Sequence, residues 1–314
     1  MSHWLCSLYG YKPPAPVIDL SGLVRLGTQP LGEGGFGDCW QGLLPGKGEV
    51  AMKCSHGNIP EESVLRRARR EANVWQNLHH PNILPFLGLT TLDSITYLVS
   101  PWMENGDLLA YVKKNPDVDC LKLLVQIAKG VEYLHTFDPV VVHGDLKAAN
   151  ILITENGEAH IADFGLAHGL VEGGGSSENY STAWKYGGNV RWQAPEIMKA
   201  TTDEQAKRTT KSDMFAFGRV ITEVYTQDVP FAYQSGTLVI VNWVMSGELP
   251  TRPTDAGTIA RGLDDRMWGL VKDCCRKRPF LRLTAKDAVR RLQAALEIRD
   301  GSRRSSFFTR TFSG

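Results

Sequence analysis

Apolar and polar positions alternate in short runs over the first third of the chain and then change to a helical period. Between Leu26 and Val99 the apolar runs are a few residues long and are separated by glycine-rich turns such as GEGGFGDCW and LLPGKGEVAMK, which predicts strands. One helical stretch interrupts them. In EESVLRRARREANVWQNL, 61–78, a step of about 100° per residue puts Val64, Ala68, Glu71, Trp75 and Leu78 on one face and Arg66, Arg69 and Arg70 opposite. A carboxylate in that apolar stripe needs a cation. The runs ILPFLGL and ITYLV then read as two more strands. After Met103 the pattern predicts helices over 118–136, 211–226, 236–247, 264–275 and 284–298, the second apolar nearly all round and therefore buried.

These elements predict an α+β protein of two lobes: a small β-rich lobe with one helix over 23–103 and a larger helical lobe over 104–297. Residues 1–22 show no period and are expected to be an extension. The end of the chain, 298–314, containing GSRRSSFFTRTFSG, is polar and basic and reads as a disordered tail.

Composition changes this picture little. With 35 basic residues against 34 acidic ones, no global field favours nucleic acid or an anionic membrane, so any phosphate binding must be local. Six cysteines without a CxxC pair, and an adjacent Cys274-Cys275 badly placed for a mutual disulfide, read as reduced thiols of a cytoplasmic protein. The longest apolar stretch, TLVIVNWVM, is too short to span a bilayer, and the first residues lack the basic start of a secretion signal. Asn179-Tyr180-Ser181 matches a glycosylation sequon, which has no meaning in a cytoplasmic chain.

Candidate chemistry begins at LGEGGFGDCWQG. Glycines at 32, 34 and 37 suit either a plain turn, a dinucleotide-binding loop or a phosphate flap. A dinucleotide loop should open a helix at the third glycine, whereas DCWQGLL continues as a strand toward EVAMK, so the strand-turn-strand favours a flap whose N–H groups lie over phosphates. Lys53 ends that second strand, and Glu71 on the helix is the carboxylate it can pair with. In VVHGDLKAANILI, 140–152, Asp145, Lys147 and Asn150 fall close together, and Asp163 follows in ADFGLA. Two carboxylates and a carboxamide supply a proton acceptor and hard oxygen ligands for magnesium, a set suited to phosphoryl transfer.

In order, the flap, VAMK, the helix Glu, HPNIL at 80–84, HGDLKAAN, DFG, APE at 194–196 and SDMFAFG at 212–218 resemble the eukaryotic protein kinases over roughly residues 23–297. RWQAPE, PWMENGDL and HGDLKAANIL resemble most the tyrosine-kinase-like group, especially its fungal members. The resemblance implies a bilobal fold, ATP and Mg2+, and a protein substrate with a Ser/Thr acceptor; the upstream partner is unknown. It implies that Asp145 accepts or orients the hydroxyl proton, Lys147 neutralises the γ-phosphate, Asn150 and Asp163 hold magnesium, and Lys53, paired with Glu71, holds the α- and β-phosphates. Gly32, Glu33, Gly34, Gly35, Phe36 and Gly37 would form the flap. Leu31, Cys39, Ala51 and Leu152 would sandwich adenine, with Ser100 at the back of the pocket, the Pro101 C=O accepting and the Met103 N–H donating. Trp75, His143 and Phe164 would stack, and Glu196 would pair with Arg282. A catalytically silent scaffold of the same fold, or a tyrosine or dual-specificity kinase, are the alternatives.

Three departures modify the expectation. Gly144 stands where many kinases carry an arginine that pairs with a phosphorylated activation segment, so phosphate on Ser176, Ser177, Tyr180, Ser181 or Thr182 would lack that partner and dephosphorylated protein should keep most of its rate. Asn189 replaces the threonine usual in Ser/Thr-specific members. Leu283 replaces a common proline and is expected to matter little. In the tail, Ser305 and Ser306 follow basic residues, as basophilic kinases favour.

Overall fold

A computed structural model describes residues 19–34, 37–55, 61–169 and 190–311, with backbone alone for 32–34, 61, 169 and 302–311. The chain forms two compact units, one from Met1–His79 and Leu84–Trp102, the other from His80–Ile83 and Met103–Gly314. The fold class is the expected α+β one: a curled sheet with a helix in the first unit and a helical second unit.

The first unit is an antiparallel sheet of β1 (Val24–Arg25), β2 (Gly32–Gly34), β3 (Gly37–Leu44), β4 (Gly48–Cys54), β5 (Gly88–Leu92) and β6 (Ile95–Pro101). The strands run in the order β1-β3-β4-β6-β5, and β2 folds back on β3. In β4 the alternation buries Val50, Met52 and Cys54 and leaves Ala51 and Lys53 half-buried on the other face. The buried set packs with Leu23, Leu44, Tyr97 and Val99 as this unit's core. Helix α1 (Glu61–Trp75) buries Ala68, Glu71, Ala72 and Trp75. It ends three residues earlier than the pattern predicts because the last turn tightens to bonds three apart, Leu78 N–H to Trp75 C=O at 3.0 Å.

The run ILPFLGL is only partly a strand, since Pro85 cannot donate to a ladder and pairing starts at Gly88. Residues 80–83, expected with the first lobe, belong to the second unit. Ile83 forms a parallel bridge with Ile161 there, and Asn82 donates Nδ2 to the Ala159 carbonyl at 3.0 Å.

In the second unit, α2 (Leu108–Lys114) and α3 (Cys120–Thr136) lead to strand β7 (Val141–Val142), a 3-10 turn at Ala148–Asn150, and strands β8 (Ile151–Ile153), β9 (Ala159–Ile161) and β10 (His168–Gly169). The helices α4 (Pro195–Met198), α5 (Thr210–Thr226), α6 (Thr237–Ser246), α7 (Ala256–Ala260), α8 (Asp265–Cys274) and α9 (Ala285–Thr311) complete it. As its pattern predicts, α5 is buried from Ser212 to Tyr225, and a Thr209–Ser212 capping box starts it. Helices α2, α4 and α7 have too few turns for a period to show in the sequence.

Within the stretch expected as a tail, α9 continues through 298–311. No proline interrupts it, and Arg299 anchors it through a forked pair with Asp119 at 2.6 and 2.7 Å. Among the described residues no helix is long and apolar enough to cross a membrane, and Cys39, Cys54, Cys120, Cys274 and Cys275 are free thiols.

Candidate functional site

In the first unit, strand pairing sets the candidate groups in register. Cys39 lies opposite Lys53 and Ala51 opposite Ser100, while the Leu31 N–H reaches the Cys39 carbonyl at 2.8 Å. A side chain at Gly37 would run into the Cys54 carbonyl, and its φ of +155° is one that other residues rarely adopt, so the hairpin needs glycine there. Lys53 Nζ sits 3.2 Å from Glu71 Oε1, joining the two residues that the sequence left odd. Burial of Glu71 makes this more than a surface pair. Ser100 is buried, Pro101 half-buried and Leu31 exposed. Trp75 lies 5.0 Å from the Phe86 ring and donates its indole N–H to Leu84 C=O at 2.6 Å.

In the second unit the groups of the 140–152 stretch converge. Lys147 Nζ lies 2.7 Å from Asp145 Oδ2, and Asn150 Nδ2 donates to the same oxygen at 2.9 Å and to the Asp145 carbonyl at 2.8 Å. One carboxylate oxygen is thus held twice, which fixes the rotamer of Asp145. The Ala162 N–H bonds the Asn150 carbonyl at 2.9 Å, placing Asp163 one residue beyond that link. Asp163 holds φ +64°, a left-handed backbone uncommon outside glycine and typical of residues constrained for a task. Its Oδ1 accepts the Gly165 N–H at 3.3 Å. His143 Nε2 donates to Ala162 C=O at 2.9 Å, and its ring meets Phe164 edge to face at 5.3 Å. Met103 is buried, and half-buried Leu152 bridges to Asp107. Gly35 and Phe36, the side chain of Glu33, the serines, tyrosine and threonine of 176–182, the Asn179 sequon, Asn189 and the side chains of Ser305 and Ser306 lie outside what is described.

Three buried residues support this loop without having been assigned a role from the sequence. Asp213 takes the N–H groups of His143 and Gly144 at 2.8 and 2.9 Å and contacts His135 Nε2 at 2.9 Å. Burial works to raise its pKa, yet these donors and the two histidines hold it below the usual carboxylate range. Glu223 accepts the Ala148 N–H at 3.0 Å and the Trp192 indole N–H at 2.7 Å, both on Oε2. Its pKa is pushed up to about 8, because burial outweighs those bonds and the charge of Lys147. Arg208 is the third. A signal for the first two was present: a carboxylate on a helix apolar all round must be partnered.

The donor set can be tested against a metal. Among the described residues no three His, Cys, Asp or Glu side chains gather, so a cation at Asn150 and Asp163 would need phosphate oxygens and water to complete its shell. That is how magnesium prefers to bind, and the residues fit it.

The protein kinase domain model matches residues 27–292. The chain is 27% identical over 275 residues to a probable serine/threonine-protein kinase, drkA, of Dictyostelium discoideum, covering 86% of this chain and 39% of that protein. It is 28% identical to the serine/threonine-protein kinase STY46 of Arabidopsis thaliana, covering 76% and 40%. It is 31% identical to the putative serine/threonine-protein kinase/receptor R831 of Acanthamoeba polyphaga mimivirus, covering 87% and 16%. The chain therefore spans two fifths of these relatives or less.

Proposed function

Because this chain belongs to the protein kinase family, we propose that it transfers the γ-phosphoryl group of ATP to serine and threonine hydroxyls of a protein. The observation that carries this reading is the double anchoring of Asp145 Oδ2 by Lys147 and Asn150, at 2.7 and 2.9 Å. It leaves Oδ1 as the acceptor for a substrate hydroxyl proton. Lys147 is within reach of the same hydroxyl and neutralises charge on the transferring phosphoryl. Lys53, oriented by Glu71, holds the α- and β-phosphates, beneath backbone N–H groups of the 32–37 flap. Leu31, Cys39, Ala51 and Leu152 hold adenine, with Ser100 behind it and the Pro101 carbonyl and Met103 N–H at its polar edge. Asn150 and Asp163 hold Mg2+, which when bound neutralises the phosphate oxygens. Lys147 in the catalytic loop and the printed names of the relatives support serine/threonine over tyrosine acceptors. RWQAPE and HGDLKAANIL support the tyrosine-kinase-like group with a fungal cast. Free thiols support a cytoplasmic location.

The test is γ-phosphate transfer to a generic protein substrate, with phosphoamino-acid analysis. Asp145→Asn should lower the rate by about 10²- to 10⁴-fold, and the product should be phosphoserine and phosphothreonine. Equal rates in wild type and variant would favour the silent scaffold; phosphotyrosine alone would reject the acceptor class.

A further inference from the structure

The arginine missing at 144 has a counterpart elsewhere in the chain. Gly144 holds φ +81°, and a Cβ built on it would lie 2.7 Å from Arg208 Cδ, 3.6 Å from Arg208 Nε and 3.0 Å from the Leu166 carbonyl. The stem of Arg208 therefore occupies the volume that a side chain at 144 would need. Arg208 is 2% exposed and lines one small cavity with Gly144, Asp145 and Asp213.

Charge gives the arrangement its meaning. Asp145 and Asp213 flank Gly144 in the interior, and Asp213 already holds the loop by the N–H groups of His143 and Gly144. Buried carboxylates require cations, and Asp145 already has Lys147 Nζ at 2.7 Å. Arg208 feels both: burial lowers its pKa, while Asp145 and Asp213 act to raise it. It comes from the segment just before α5, so it is held by the same element that carries Asp213.

We propose that Arg208 is a positioning residue for phosphoryl transfer, filling the space beside Gly144 with its stem and holding the Asp145 loop with its charge. The inference rests on the kinase reading. It deepens the consequence of Gly144, because the cation is supplied by the fold itself and the loop keeps its geometry without a phosphate on the activation segment.

The experiment compares full-length wild type, Arg208→Lys and Arg208→Gln after phosphatase treatment, measuring kcat, KM for ATP and melting temperature. Both variants retain a stem beside Gly144; only lysine retains charge. Wild type should stay active. Arg208→Gln should lower kcat by about 10- to 100-fold, the scale of a small misplacement of a reacting group, with KM for ATP changed by less than about two-fold. Arg208→Lys should recover most of kcat. A glutamine variant at the wild-type rate, or lysine and glutamine variants equally impaired with parallel losses of melting temperature, would overturn the inference while leaving the kinase reading intact. Wild type that transfers no phosphate in any state would sink both; activity lost only on phosphatase treatment would sink this one alone. If the glutamine variant does not fold, Arg208→Lys carries the test, and a ten-fold loss of kcat in it counts against the proposal.

Discussion

Two of the buried arginines of the helical unit, Arg282 and Arg219, sit under opposite conditions. Arg282 spends its guanidinium fully: it forks onto Glu196 at 2.6 and 2.6 Å and donates to the carbonyls of Arg276 at 2.7 Å, Lys211 at 2.9 Å and Lys277 at 3.4 Å. Arg219 is 0% exposed and donates only Nη2 to Glu248 C=O, 2.9 Å, with Nε and Nη1 lacking a partner among the described residues. Its compensation is two rings, Phe215 and Phe231, each 4.9 Å from the guanidinium carbon. Such contacts contribute about 0.5–2 kcal/mol each, while a buried unmade bond costs about 1–3 kcal/mol and more for a charged group. The deficit wins. Arg219→Met should therefore leave the melting temperature unchanged or raise it, whereas Arg282→Met, which strands Glu196, should cost about 3–5 kcal/mol. Calorimetry showing Arg219→Met as damaging as Arg282→Met would refute the distinction. The Glu196–Arg282 pair was legible from motif order, and Lys53–Glu71 from two misfits that solve each other. Arg219 and Arg208 were not, because an isolated arginine in sequence says nothing of what surrounds it.

At the scale of elements, long helices declared themselves through period, and short ones did not. The C-terminal helix is the instructive case. Its outer part has no amphipathic stripe, so periodicity alone reads it as tail, yet Arg299 reaches across to Asp119. Asp119 is also the N-cap of α3, accepting the Lys122 N–H at 3.2 Å. Burial acts to raise its pKa, but Arg299 and that N–H hold it below the ordinary value. Two helix ends are thus tied by one carboxylate. Shortening the chain after Ile298 should cost about 1 kcal/mol, the scale of a cap or a partly exposed forked pair, and Arg299→Ala in the full chain should reproduce it. A chain ending after Asp300 should match the full one. Equal melting temperatures for the chains ending at 298 and 300 would return these residues to the status of a passive tail.

For the whole molecule, the order of motifs revealed family and fold class, but the ties among distant loops carry no period and had no sequence signal beyond buried charge. Glu223 is the clearest of these ties, since it joins the 140–152 loop at Ala148 to the segment before α4 at Trp192. With its pKa at about 8, raised chiefly by burial, the folded chain keeps a proton that the unfolded chain releases near pH 4.5. The folded state then binds more protons than the unfolded one between those values, so this group's contribution is full below pH 4.5 and is lost as pH rises through about 8, by up to about 1.4 kcal/mol per unit. His80, His160 and His168, lowered mainly by burial, act in the opposite sense below the ordinary histidine value of 6.5, so only a difference against a variant isolates Glu223. Glu223→Gln is the fitting variant. Both hydrogen bonds end on Oε2, so the glutamine carbonyl can accept both while its amide stands in for the protonated Oε1. Its melting temperature should exceed that of the wild type increasingly from pH 5.5 to pH 8, with kcat retained at pH 7. Parallel melting curves across that range would mean that Glu223 is not protonated in the folded chain, and a collapse of the variant at pH 8 would mean that the charged form is the one holding Ala148 and Trp192 together.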